Sequence, residues 1–321
     1  MKVDLIKAFT DPSILEDDIV ISIINPRGDK EEGSGSGVYR DVLSTFWHDV
    51  YESLMVGEEE RVPCIRHDYQ RQEWEAIARI LVFGYTSYQY FPILFSKTFF
   101  AQCLLGEDVL SGEMLLASFR RYVSESERAL IDRCISGEVE EDDEELLQFF
   151  SNFDCKVLPR KSKLIRVLEE VAHKELIQKP QYVAECWKEV VLQLKPYFPS
   201  LEFINELRER LVPTNVKVID ALRVELTSDA ERECFKHLKR YLRGLDKSKL
   251  ERFLKFTTGS ELILFHELQV TFNQNENLLR RPIAHTCSFV LEVPSTYTSF
   301  PELREEFNHI LEANNWEMDI V

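Results

Sequence analysis

The feature that most constrains this chain is a change of period. From Val38 to about Leu245 apolar residues recur at helical spacing, and after Lys247 that spacing gives way to short runs rich in β-branched and aromatic residues. In the stretch Trp74 to Leu81, positions 74, 77, 78 and 81 share one helix face while Glu75 and Arg79 lie off it. Similar stripes run through Leu164–Ala172, Tyr182–Leu194 and Phe203–Leu211. Ser228 with Glu231 makes a capping box ahead of Phe235, Leu238 and Leu242, and Gly244 stands where that helix should end. Beyond it, Leu262–Phe265, Leu268–Phe272 and Ser288–Val293 are short enough to be strands. A last helix is marked by Ser299 with Glu302, Pro301 in the first turn, and an apolar face of Leu303, Phe307, Ile310 and Leu311. The expected fold class is therefore α+β: a mostly helical domain over residues 1–245, then a small α+β domain over 246–321.

The first thirty or so residues depart from this pattern. A β-like run, Ile19–Ile24, closes on the turn-prone Asn25-Pro26-Arg27-Gly28-Asp29, and a glycine cluster, Gly33-Ser34-Gly35-Ser36-Gly37, follows. A phosphate-cradling loop would need a Lys-Ser/Thr after such glycines, and none is there, so the cluster reads as a plain loop. The acidic run Glu138–Glu145 reads as a solvated loop or helix start, since its carboxylates repel one another and lack calcium-loop spacing.

Composition narrows the function classes. A net charge of −17, from 56 acidic and 39 basic residues, repels phosphate backbones and anionic membrane surfaces, so neither nucleic acid nor membrane is an expected partner. Seven scattered cysteines without a CxxC pair suit neither a disulfide scaffold nor a zinc site; free thiols in a reducing compartment are expected, with no metal and no cofactor. The N-terminal segment reaches acidic residues before any long apolar run, and no stretch long enough to span a membrane follows. The expected location is the cytoplasm, with the nucleus also open.

Chemistry concentrates in Arg281–Pro294. With a strand starting near Ser288, residues Phe289, Leu291 and Val293 face one way and Cys287 sits at the strand mouth on the same side. A thiolate nucleophile needs water access and help in losing its proton, and His285 lies two positions away. A buried structural cysteine would have the same spacing, so both readings stand on the residues alone.

Leu250–Ser260, ending Phe256-Thr257-Thr258-Gly259-Ser260, is similar to the helix and turn that open the C-lobe of HECT ubiquitin ligases. Ala284-His285-Thr286-Cys287 resembles the block around that family's acceptor cysteine, and Leu291, Val293-Pro294 and Tyr297 continue it in the family's order. Gly33–Trp47 resembles the glycine-rich turn and helix near the start of a HECT N-lobe, and Glu73–Leu81 the helix after it. The resemblance implies a bilobal chain with an N-lobe over 1–245 and a catalytic C-lobe over 246–321. It also implies a ubiquitin–protein transferase that takes ubiquitin from a conjugating enzyme as a thioester on Cys287 and passes it to a lysine of a protein substrate. In that reaction His285 would orient or deprotonate the thiol, and Thr286 would offer a hydroxyl or backbone donor to the oxyanion. Gly244–Ser248 is the expected pivot between lobes.

The chain departs from the family in places. Leu105–Ser136 is short for the subdomain that docks the conjugating enzyme, and His173–Pro180 has no counterpart in better-known members. The loop between Ser260 and Leu278 is trimmed, and Trp316 stands where a phenylalanine is usual. The alternative is a catalytically silent HECT-like module that binds ubiquitin or another partner. An unrelated cysteine hydrolase would need a second histidine and an acid or amide converging on Cys287, for which the sequence has no signature.

Overall fold

A computed structural model of the chain describes residues 1–24, 35–140, 143–155, 160–275 and 280–312. The turn at residues 25–29, Gly33, Ser34, part of the acidic run and Trp316 lie outside the described residues. In chain order the elements are α1 (Lys2–Ala8), α2 (Ser36–Leu54), β1 (Met55–Val56), β2 (Val62–Pro63), α3 (Arg71–Tyr88), α4 (Lys97–Leu105), α5 (Gly112–Tyr122), α6 (Glu125–Ser136), α7 (Glu144–Asn152), α8 (Leu164–His173), α9 (Gln181–Val191), α10 (Leu201–Leu211), α11 (Asn215–Ala221), β3 (Leu222–Val224), α12 (Asp229–Arg243), α13 (Lys247–Thr258), β4 (Leu268–Asn273), β5 (Ile283–His285), β6 (Val290–Pro294) and α14 (Phe300–Glu312). The fold is α+β, helical first with a small sheet toward the end. Its contacts divide it into two compact units: Met1–Asp17, Trp47–Phe83 and Pro92–Glu206 form one, and Asp18–Phe46, Gly84–Phe91 and Leu207–Val321 the other.

The first unit is built on aromatic packing. Trp47 and Trp187 each meet Phe95 edge-on, with ring centroids 5.2 Å apart in both pairs, and all three side chains are fully buried. The stripe of α3 is buried as its spacing predicts, with Trp74, Ile77, Ala78 and Leu81 at 0% exposure. Arg79, expected off that face, is buried as well. The reason is polar: its guanidinium donates to the carbonyls of Phe9 at 3.0 Å and Thr10 at 3.3 Å and to Glu75 at 3.2 Å. It thereby satisfies carbonyls at the C-terminal end of α1, where a cation is favoured.

The second unit holds a four-stranded sheet in the order β3-β4-β6-β5. β4 runs parallel to both neighbours, with Leu222 opposite Leu268 and Val270 opposite Leu291, and β5 is antiparallel to β6, with His285 opposite Val290. Leu268, Val270, Leu291 and Val293 point into one core with Leu238, Leu242, Phe253 and Leu254 of the helices and Leu303 and Phe307 of α14. Both capping expectations can be traced. The Ser228–Glu231 box is present, and Glu302 turns back onto the N–H of Thr298 at 3.1 Å, one residue earlier than expected. Within Gly244–Ser248, the expected pivot, Leu245 belongs to this core, and the Asn215 amide donates to the carbonyls of Leu242 at 2.6 Å and Leu245 at 2.9 Å.

Three strand expectations change. Ile19–Ile24 forms no ladder in the described residues, only a single bridge at Ile24. Leu262–Phe265 is irregular and joins no strand among the described residues; the Ile263 N–H donates to the Leu211 carbonyl at 3.0 Å. The last strand starts at Val290 rather than Ser288, so residues 286–289 form a hairpin loop. β3, too short to show a pattern, was not anticipated.

Candidate active site

β5 and β6 present the loop Thr286-Cys287-Ser288-Phe289 at one end of the sheet. The Ser288 N–H closes it onto the His285 carbonyl at 3.2 Å. Phe289 adopts a left-handed conformation, with φ 55°, which an L-residue holds only when its surroundings impose it. Here they do: its ring lies 5.6 Å from that of Phe265 and under the Arg40 guanidinium, 4.3 Å from the ring centre. With Phe289 turned toward the core, Cys287 is exposed at the tip.

The glycine cluster expected to be a plain loop has a packing role. A β-carbon at Gly37 would collide with the Thr286 hydroxyl and come within 2.8 Å of Thr286 Cβ and 3.2 Å of Cys287 N. One at Gly35 would lie 3.0 Å from Cys287 Sγ, and Gly35 also has a φ of 105°, where side chains are strained. On the other side, a β-carbon at Gly259 would sit 2.5 Å from the Gly37 carbonyl oxygen. Gly259 ends α13 in the left-handed conformation, with Thr257, Thr258 and Ser260 around it at 0% exposure. Three segments far apart in sequence thus approach at backbone distance: the start of α2, the turn after α13 and the cysteine loop.

Polar contacts pin the same junction. Arg40, 5% exposed, donates from Nε to the Thr258 carbonyl at 2.8 Å and from Nη2 to the Thr286 carbonyl at 2.5 Å. The Ser36 hydroxyl reaches the Cys287 carbonyl at 3.5 Å. Lys255 spans to Asp41 at 3.4 Å and to Thr45 at 2.8 Å, and Glu261 accepts from Ser44 and, at 2.6 Å, from the Tyr90 hydroxyl. Burial pushes the Asp41 carboxyl above its ordinary value, against the pull of Lys255. Burial also draws the Arg40 guanidinium down, while attraction to Cys287 and then Tyr88 opposes it.

The other two expected residues precede Cys287 along the hairpin. Thr286 is half-buried, its hydroxyl against Gly37 and its carbonyl held by Arg40. His285 directs Nε2 toward Glu292, 3.6 Å away, and Glu292 in turn accepts from the Asn273 amide at 2.6 Å. No group of histidine, cysteine and acidic side chains among the described residues could hold a metal ion.

Residues 204–319 match the family model of the HECT-domain (ubiquitin-transferase). The match spans about a third of the chain and contains the sheet, Gly259 and the whole cysteine loop. No curated protein matches the chain. Arg40, Gly35 and Gly37 lie outside the HECT match, yet they contact the loop within it. Sequence reasoning picked out Cys287, His285 and Thr286 but did not single out Arg40, Glu292 or Phe289. Arg40 follows the glycine cluster by three positions, a weak signal; Glu292 has the spacing of a sheet residue and nothing more.

Proposed function

We propose that this chain is a ubiquitin–protein transferase whose Cys287 carries ubiquitin as a thioester. The Cys287 thiolate attacks the carbonyl carbon of the thioester on a charged conjugating enzyme. A new S–C bond forms, the old one breaks, and the conjugating enzyme leaves as a thiolate. The amine of a substrate lysine then attacks the same carbonyl, loses a proton, and releases Cys287. His285 orients the thiol or takes its proton, and Thr286 contributes a donor to the tetrahedral oxyanion. The partners are ubiquitin, a conjugating enzyme and a protein substrate, and the chemistry calls for a reducing compartment such as the cytoplasm.

The observation that carries this reading is an exposed cysteine on a loop held from several sides, inside the segment that matches the HECT family. Catalytic thiols are partly exposed and lie in fixed surroundings, whereas structural cysteines are buried. The test is transfer from charged conjugating enzymes, followed on a non-reducing gel with Cys287→Ala and Cys64→Ala variants; Cys64 is the other exposed cysteine. A thiol-sensitive adduct lost only in Cys287→Ala supports the proposal. No adduct across a broad panel, with ubiquitin still bound, would leave a silent binding module instead.

A further inference from the structure

Arg40 has an unusual environment for a buried cation. It is 5% exposed, and no carboxylate among the described residues bonds to it. Its bonds go to two carbonyls and its flat face to the Phe289 ring, and these contacts bracket the cysteine: Thr286 on one side, Phe289 on the other. A buried guanidinium compensated only by dipoles is costly relative to one with a counter-charge, because nothing repays its lost hydration in full. The ionisable groups whose negative forms attract it are Cys287 and Tyr88. The Tyr88 phenol, pushed up to about 12 chiefly by burial, is neutral at physiological pH. Of these two, Cys287 is the exposed one, and it lies in the loop that Arg40 holds through Thr286 and Phe289.

We infer that Arg40 is a positioning residue for Cys287, fixing the Thr286–Phe289 loop and supplying the positive charge against which the Cys287 thiolate forms. A planar fork suits both roles, since two N–H directions serve two carbonyls while the charge stays delocalised over the aromatic face. The glycines complete the arrangement, because Gly35 and Gly37 let the helix that carries Arg40 start against the loop backbone. The inference deepens the proposed function, since it rests on Cys287 being the acceptor.

Alkylation kinetics test it without ubiquitin. Native protein, Arg40→Gln and Arg40→Lys are treated with iodoacetamide over a range of pH, and Cys287 modification is read by peptide mass spectrometry. Tyr88 from α3 also interacts with Arg40, and His285 of the hairpin lies 3.6 Å from Glu292; all three side chains are intact in every variant. Arg40→Gln should slow Cys287 about tenfold near neutral pH and displace its profile to the alkaline side, because an adjacent opposite charge changes the ionised fraction by about that much. Arg40→Lys should keep the profile in place and lose rate only through a looser loop. A wild-type profile in Arg40→Gln, or equal slowing in both variants without displacement, would overturn the inference.

A second measurement needs no variant. Anionic iodoacetate should gain on neutral iodoacetamide at Cys287 of the native protein, relative to a peptide of residues 284–289. An equal ratio would also overturn the inference, even if Arg40→Gln failed to fold. Thioester loading of the native chain is measured separately. Its absence would defeat the proposed function while leaving the alkylation results to stand or fall alone.

Discussion

Gly37→Ala sets two effects of opposite sign against each other. Gly37 is the second residue of α2, and replacing glycine by alanine in a helix normally stabilises by about 0.5–1 kcal/mol. Here the new methyl meets the Thr286 hydroxyl, Thr286 Cβ at 2.8 Å and Cys287 N at 3.2 Å. The hydroxyl can rotate away; the other two cannot move without the loop, whose Thr286 carbonyl is tied to Arg40. Overpacking of this kind costs about 2–3 kcal/mol when neighbours are held, so the net change is a loss of about 1–2.5 kcal/mol. For a chain this size that lowers Tm by about 2–10 °C. The assay is thermal melting by circular dichroism, repeated for Thr286→Gly and the double variant. Thr286→Gly removes the two closer atoms, so the double variant should recover about 1–2 kcal/mol as coupling. If Gly37→Ala melts at or above the native protein, the close approach of α2 to the cysteine loop is wrong, and the packing argument for the glycine cluster falls with it.

Other outcomes follow from the same structure. Phe307→Ala, at 0% exposure in the second unit's core, should cost about 3–5 kcal/mol by urea denaturation, and a loss below about 1 kcal/mol would contradict its burial. Ser228→Ala should remove one half of the α12 capping box and about 1 kcal/mol, while Thr227→Ala, whose N–H still reaches Glu231, should cost less. Because the Asp41 carboxyl is raised, mainly by burial, the folded state binds its proton more tightly than the unfolded state does. Its contribution to stability therefore grows as pH falls through the raised value toward the ordinary carboxylate range. The native protein should gain on Asp41→Asn in that direction, and urea midpoints at neutral and mildly acidic pH that show no such gain would refute the assignment. Brief maleimide labelling of native protein should modify Cys287 and Cys64 first and spare Cys134 and Cys234, whose thiols burial pushes up to about 11 and about 12.

Much of the helical part could be read directly. The buried face of α3, the capping box before α12 and the apolar face of α14 are local, encoded by residues within two or three turns of one another. The errors share a different origin. Leu262–Phe265 has strand composition but pairs with no strand among the described residues, since pairing depends on what the fold lays beside a segment and not on its composition. β3 has too few residues for a pattern and exists because β4, far along the chain, pairs with it. Arg79 lies off the apolar stripe of α3 and is nonetheless buried, because the carbonyls it satisfies belong to α1 and the turn after it.

The candidate site divides the same way. The residue types and order around Ala284–Cys287 and Phe256–Ser260 pointed to a HECT-like thiol, and residues 204–319 match that family. Periodicity and motif are properties of neighbouring residues, so the sequence alone determined them. Only the tertiary structure decided that Gly35, Gly37 and Arg40 meet a cysteine loop about 250 positions later, and that Phe289 turns inward to leave Cys287 at the tip. Close approach of backbones and the compensation of a buried charge depend on what lies opposite, and that is settled only when the whole core packs.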